Sequence, residues 1–450
     1  MRRLLRLLLA LSFASAAAGV EPKPNLVIFL ADDLGWGDIG ANGSDRVATP
    51  HIDRIAAEGI RFSHFYAPAA VCSPTRAGLL TGRNPFRLGI YTYVPNRSPM
   101  HLPRGEPTIA SVLRASGYDT CFVGKWGVNG GLTDPTQAQP GDLGFDHWLA
   151  TQNNAEGSHL NPGGFVRNGR PVGRIEGYSA QILVDEALQW LRARKDPARP
   201  FCFFVWFHEP HRVIATPERF AAPYRARFPG RAEARDESGA TEGKLPTIAD
   251  YLGNISHLDH QVGRVLTALD ELRAAERTLV VFTSDNGPIA PGSSGGLKGG
   301  KTRLSEGGIR LPGVMRWPRR ITPGQVSDVP VGSIDLLATA CAMAELATPP
   351  TDGASLLPLF AGEPLVRATP LFWRNAAGEA ALRDGDWKLV ARAAKGGAAH
   401  EARDVAGAEP ERIARMRAAL VALHADTQRT APRWPESALP RAKNRSAENN

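Results

Sequence analysis

The sequence predicts an α/β fold, with a mostly parallel sheet lying between layers of helices. Three observations carry this. After Pro24, short apolar runs alternate with amphipathic stretches of helical spacing. Runs such as 25–31 are apolar throughout rather than at every second residue, as strands buried on both faces are. Four of the runs also end in polar residues suited to chemistry. In chain order, 25–31 is the opening strand, and 52–59 reads as a short helix ended by Gly59. Residues 108–116 form a second helix, closed by Gly117 and followed by a strand at 119–124. A longer amphipathic helix, 179–195, leads into the strand 201–207. The longest helical pattern spans 248–273, and 278–283 is the next strand. Pro349, Pro350 and Gly353 begin a looser stretch, and the texture changes after about Pro364. There 372–373 and 387–390 read as hairpin strands and 409–427 as a closing helix, and no internal repeat stands out. The expected organisation is a leader at 1–18, a main domain at 19–362 and a small α+β subdomain at 363–441. That subdomain carries an antiparallel sheet, and a disordered tail follows at 442–450.

The 450 residues are 43% hydrophobic and 22% charged, which excludes collagen-like, low-complexity and disordered chains. Four scattered cysteines, Cys72, Cys121, Cys202 and Cys341, make neither a disulfide framework nor a CxxC zinc pair. Residues 1–18 have the pattern of a secretory signal: Arg2, Arg3 and Arg6, a short apolar stretch, then small residues for cleavage. The apolar part is shorter than the roughly 20 residues of a membrane anchor, and no later stretch is long and apolar enough to span. An exported protein, periplasmic or secreted and free of the membrane after signal cleavage, is expected. Taking the three leader arginines from the formal charge of +8 leaves +5, which suits an anionic substrate. No basic cluster is interleaved with aromatics, so nucleic acid is not an expected partner.

The strand ends carry the chemistry. Residues 25–31 run into Asp32-Asp33, and 119–124 into Lys125-Trp126. Residues 201–207 run into His208-Glu209-Pro210-His211, and 278–283 into Ser284-Asp285-Asn286-Gly287. Ligands of open α/β sheets bind at the carboxyl ends of strands, so these clusters are expected to share one crevice. A strand-terminal Asp alone is as often a turn former, but four coincident clusters favour a site. Asp32, Asp33, Asp285 and Asn286 offer only oxygen, which suits calcium or magnesium and not zinc. Adjacent carboxylates repel unless a cation neutralises them. Lys125, His211 and either Lys298 or Lys301 add donors for a tetrahedral oxyanion, phosphate or sulfate.

The run Cys72-Ser73-Pro74-Thr75-Arg76 continues into Leu80-Thr81-Gly82-Arg83. Here the chain resembles the formylglycine-dependent (type I), arylsulfatase-like sulfatase family, whose hallmark is Cys-x-Pro-x-Arg followed by Leu-Thr-Gly-Arg. The plain alternative, a buried structural Cys near a helix start, does not account for the extended match. The likeness runs from Pro24 to about Trp434. It includes the Asp-Asp-x-Gly-x-Gly-Asp turn ending at Asp38, the segment from Lys301 to Glu306-Gly307-Gly308, Asp335, and Asp352-Gly353. The spacing to Glu-Gly-Gly singles out Lys301 over Lys298 as the family's lysine.

The resemblance implies an alkaline-phosphatase-like core and a sulfate-ester hydrolase. It implies that a maturation enzyme converts Cys72 to formylglycine, whose hydrated aldehyde attacks sulfur, after which elimination of sulfate regenerates the aldehyde. Carried over, the metal ligands are Asp32, Asp33, Asp285, Asn286 and the modified Cys72, with calcium the expected ion and magnesium the alternative. Arg76 would hold the formylglycine oxygen, Lys125, His211 and Lys301 the sulfate, and His211 or Lys301 would protonate the leaving oxygen.

One position departs. The commonest family pattern is Gly-Lys-Trp-His, with the His assisting sulfate release, whereas this chain has Gly124-Lys125-Trp126-Gly127. Gly occurs there in some relatives, so the change does not imply a dead enzyme. His208 and His159 are the expected substitutes, although His208 equally reads as a residue that orients His211. Substrate choice is expected from the loops 151–177 and 212–243, through Asn153, Asn154, His159 and Arg167, with a sulfated saccharide or small molecule as partner. The rival readings are a phosphonate monoester or phosphodiester hydrolase of the same superfamily, and a non-catalytic carbohydrate-binding relative.

Overall fold

The computed structural model describes residues 22–229, 246–391 and 406–435. The leader at 1–18, the tail at 442–450 and the segment 230–245 of one specificity loop lie outside the described residues.

The opening strand, Asn25–Ala31, is buried at every residue. It pairs in parallel with Phe201–Trp206 on one side and Thr278–Ser284 on the other. Asp119–Lys125 and His147–Thr151 extend the parallel series beyond Phe201–Trp206. Among the described residues ten strands make the sheet, and its two margins turn antiparallel: Gly313–Arg316 against Thr278–Ser284, and Phe165–Arg167 against His147–Thr151. The short strands Ile60–Phe62 and Gly313–Arg316 are too brief to show a period in the sequence.

Side chains of the opening strand alternate between two cores. Leu26, Ile28 and Leu30 enter one, with helices Cys72–Thr81, Ile109–Ala115 and Leu336–Met343. Val27, Phe29 and Ala31 enter the other, with helices Pro50–Ala57, Ser179–Arg192 and Ile248–Glu271. This is why the strand reads as unbroken apolar sequence: both of its faces are covered. The long helix starts where Thr247 and Asp250 form a reciprocal capping box.

The small antiparallel sheet is Leu371–Arg374, Ala380–Asp384 and Trp387–Ala391, one strand more than the sequence suggested. One of its faces packs Phe372 and Leu382 against Met416 and Leu420 of the closing helix, Pro410–Thr430. The other presses Trp373 and Ala381 against Tyr66, Ala70 and Ile309 of the main body. Among the described residues no helix is long and apolar enough to cross a membrane.

Candidate active site

Parallel register sets the site. Ala31 stands opposite Ser284, Leu30 opposite Trp206, and Gly124 opposite Trp206. Asp32-Asp33, Lys125, the segment His208–His211 and Asp285-Asn286 therefore leave the sheet at one edge, as expected from the sequence. Cys72 opens the ten-residue helix Cys72–Thr81 and is buried there. Arg76 follows at i+4, so both lie on one face of that helix. Among the described residues all four cysteines are free thiols.

Arg76 is completely buried and ties three parts of the site together. Its Nη2 lies 2.8 Å from Asp285 Oδ2 and 3.4 Å from Asp32 Oδ2, while Nη1 donates to the Lys125 carbonyl at 2.8 Å. Lys125 Nζ donates to Asp32 Oδ2 at 2.6 Å and to Asn154 Oδ1 at 2.8 Å. Lys301 Nζ sits 2.7 Å from Asp33 Oδ1. Asp33 adopts a left-handed φ of 67°, its N–H donates to Asp285 Oδ1, and its Oδ1 accepts from Asn286 Nδ2 at 2.7 Å. His211 Nδ1 donates to the Arg212 carbonyl, which leaves Nε2 facing Asp33 Oδ2 at 3.6 Å.

Burial opposes the charge of all three acids, and the outcome differs between them. Lys125, His211 and Arg76 overcome it at Asp32 and hold that carboxyl well below the usual range. Lys301 and His211 do the same at Asp33. At Asp285 burial and the charge of Asp32 prevail over Arg76 and Lys125, pushing it up to about 7. Burial also lowers Lys301, but Asp33 more than restores it, so its ammonium is held charged. Lys125 is held charged against burial by Asp32, and Arg76 by Asp285 and Asp32. His211 is pushed down to about 4, chiefly by burial.

The donors fit a hard cation. Among the described residues Asp32 Oδ1 and Asn286 Oδ1 are buried without a hydrogen-bond partner, in a cluster that is otherwise closely paired. Ligand atoms of Asp32, Asp33 and His211 all lie within 4.8 Å of one another. Lone carboxylate and amide oxygens of this kind suit a hard divalent cation.

Residues 24–346 match the description of the Sulfatase family. The chain is 34% identical to the N-acetylgalactosamine-6-sulfatase of Canis lupus familiaris over 82% of its own length and 72% of the relative's.

The chain belongs to the sulfatase family.

It is a sulfuric ester hydrolase with an alkaline-phosphatase-like fold. Arylsulfatase A of Homo sapiens is 34% identical over 79% of this sulfatase and 71% of that protein. Among solved structures, Ps i-CgsB in complex with k-i-k-neocarrahexaose superposes with a TM-score of 0.78 at 25% identity, covering 92% of this chain and 96% of that one.

Some expectations for this sulfatase fail on geometry. His208 is no free base, because Nε2 is bonded to Thr151 Oγ1 and Nδ1 to Ser179 Oγ, both at 2.6 Å. His159 is also buried, its ring against the backbone of His211 and the side chain of Asn254, and burial lowers it to about 4. Arg167 forks onto Glu186 on the Ser179–Arg192 helix, so its guanidinium is committed to that carboxylate. Asn153 binds the Val94 carbonyl and Asn96, on the loop whose Val94 N–H is held by Ser73 Oγ. Asn154, read from the sequence as a sugar contact, stands at the site with its Oδ1 accepting from Lys125 Nζ. At Gly127, φ is 69°, and a Cβ would meet Arg76 Cδ at 3.4 Å and Ser73 Oγ at 3.7 Å. The left-handed φ strains any side chain at this position, although its Cβ would make only ordinary contacts with the Cys72 helix.

Proposed function

We infer that this sulfatase removes sulfate from saccharides, using a formylglycine made from Cys72 and a calcium or magnesium ion. The observation that carries this is the buried convergence of three carboxylates and three cations beside Cys72, the first residue of a helix. Asp32, Asp33, Asp285 and Asn286, with the matured residue 72, would hold the cation. When bound, it neutralises sulfate oxygens and lowers the pKa of a hydroxyl on residue 72.

The rest falls to the chain's own side chains. Arg76, fixed by Asp285 and the Lys125 carbonyl, holds the oxygen of residue 72. Lys125 and the Asn154 amide donate to sulfate oxygens from one side and Lys301 from the other. His211 donates its Nδ1 proton to the Arg212 carbonyl and turns Nε2 toward Asp33, close to the charged ammonium of Lys301. His211 or Lys301 protonates the leaving oxygen. The buried walls exclude water and strengthen each of these contacts.

A saccharide substrate is supported by the name of the relative N-acetylgalactosamine-6-sulfatase and by the hexaose bound to Ps i-CgsB. The leader pattern at 1–18 supports export, and a formylglycine-generating enzyme is the partner that Cys72 requires. Sulfate release should be assayed on sulfated mono- and oligosaccharides beside an aryl phosphonate, using enzyme co-expressed with that maturation enzyme. Release from at least one saccharide, lost in Cys72→Ala, is expected. Preference for the phosphonate, or full activity in Cys72→Ala, overturns the reading.

A further inference from the structure

Lys301 stands on a tight loop that also contains the Glu306-Gly307-Gly308 motif, and neither the glutamate nor the loop's anchorage is used by the chemistry above. The loop is held in a demanding shape. Thr302 has a φ of 73°, a left-handed conformation that β-branched residues rarely adopt and that persists only where the surroundings impose it. Gly307 N donates to the Lys298 carbonyl and Gly308 N to the Ser305 carbonyl. A Cβ at either glycine would strike backbone carbonyls of residues 298–303. Thr302 N donates to the Ala70 carbonyl, two residues before Cys72, so the loop is also tied to the approach to that residue.

The other anchor comes from the small antiparallel sheet. Lys388, on strand Trp387–Ala391, sends Nζ to the Leu304 carbonyl at 2.7 Å and to Glu306 Oε1 at 3.0 Å. Both side chains are largely buried. The other Glu306 oxygen accepts from Tyr66 OH at 2.9 Å and faces Arg310 at 3.7 Å. Lys388 and Tyr66 hold this carboxylate below its ordinary range against burial. Arg310 in turn lies over the Trp36 ring, on the turn that follows Asp32-Asp33.

We propose that Lys388 is a positioning residue for sulfate hydrolysis: from the small antiparallel sheet it clamps Leu304 and Glu306, and so sets the place of Lys301 Nζ. The physical reason is that a long, flexible lysine binds an anion well only if its backbone is fixed. This rests on the reading of Lys301 as a sulfate ligand.

A double-mutant cycle on kcat/KM for a sulfate ester tests it, with Lys301→Ala, Lys388→Met and the pair, each matured and checked for folding by circular dichroism. Lys388→Met alone is expected to lower kcat/KM by on the order of tenfold, and by less than about twofold when Lys301 is already Ala. Lys388→Arg, which keeps the charge and the donors, should restore most of the loss. If Lys388→Met fails to fold, Lys388→Gln, which can still reach the Leu304 carbonyl, takes its place in the cycle. An equal loss in both backgrounds means that Lys388 acts independently of Lys301 and overturns the proposal. Wild-type kcat/KM in Lys301→Ala overturns the sulfate-ligand reading, and the proposal with it.

Discussion

Arg76 and Asp285 meet at 2.8 Å with neither side chain exposed to solvent. Arg76 is on the helix that begins with Cys72, and Asp285 follows the strand Thr278–Ser284, so this pair fastens the Cys72 helix to the sheet edge. Breaking a buried pair from one side leaves an uncompensated charge and costs about 3–5 kcal/mol. Asp285→Ala should therefore lower the melting temperature clearly as well as abolish turnover. Asp285→Asn, which keeps the shape and an acceptor for Asp33 N–H, should lose turnover with a smaller change in melting. Equal melting of Asp285→Ala and the wild type in calorimetry would show that Arg76 finds another partner.

The role proposed for Cys72 is chemical rather than structural. Its thiol is small and stands at a helix start, so Cys72→Ala removes little packing, on the order of 1 kcal/mol. The variant should melt close to the wild type and show no sulfate release. In matured protein, mass spectrometry of the peptide spanning Cys72 should find an aldehyde. A wholly alkylatable thiol in active enzyme is the contrary result.

The orphan oxygens of Asp32 and Asn286 lead to a metal prediction. Elemental analysis of active protein should find calcium or magnesium near one per chain. Exhaustive chelation should remove activity, and either ion should restore it. Stoichiometric zinc in active, chelator-resistant protein contradicts the oxygen-ligand argument.

His208 is bound at both ring nitrogens inside the protein. His208→Gln should lower stability by about 1–3 kcal/mol, because Thr151 and Ser179 lose a well-placed partner. If the remaining folded enzyme turns over steadily, His208 is structural. A burst of alcohol release followed by a stall, with sulfate retained, would instead restore it as the base missing at Gly127.

Asp259, on the helix Ile248–Glu271, accepts the backbone N–H groups of His51 and Ile52. Burial pushes it up to about 7, the two hydrogen bonds offsetting only part. The unfolded chain ionises this group near the usual carboxylate value, about 3.9, while the folded chain stays protonated. Its contribution to stability is thus complete at low pH and is lost as pH rises from about 4 through about 7, by roughly 1.4 kcal/mol per unit of separation. Urea unfolding at pH 5 and pH 8 should show this decline in the wild type and a smaller one in Asp259→Asn. An unchanged pH dependence in the variant assigns the decline to other groups.

The sequence by itself determined the central strands, because burial on both faces forces unbroken apolar runs such as 25–31. It also named the cluster of Asp32, Asp33, Lys125, His211, Asp285 and Asn286, because parallel strands deliver their carboxyl ends to one edge whatever the loops do. The run from Cys72 to Arg76 and the spacing from Lys301 to Glu306 were legible as local patterns. Only the tertiary structure decided which polar residues were already committed to partners distant in sequence. His208 met Ser179, Arg167 met Glu186, and Asn154 met Lys125, across separations of 19–29 residues that no local pattern encodes. Short marginal strands such as Ile60–Phe62 were invisible for a related reason: three residues are fewer than two periods of any strand pattern. The reach of Lys388 to Glu306 lies further beyond sequence reading, 82 residues apart and from the small sheet to the Lys301 loop. Local propensity and burial shape the elements, but a side chain's partner is settled only when packing brings distant backbones together.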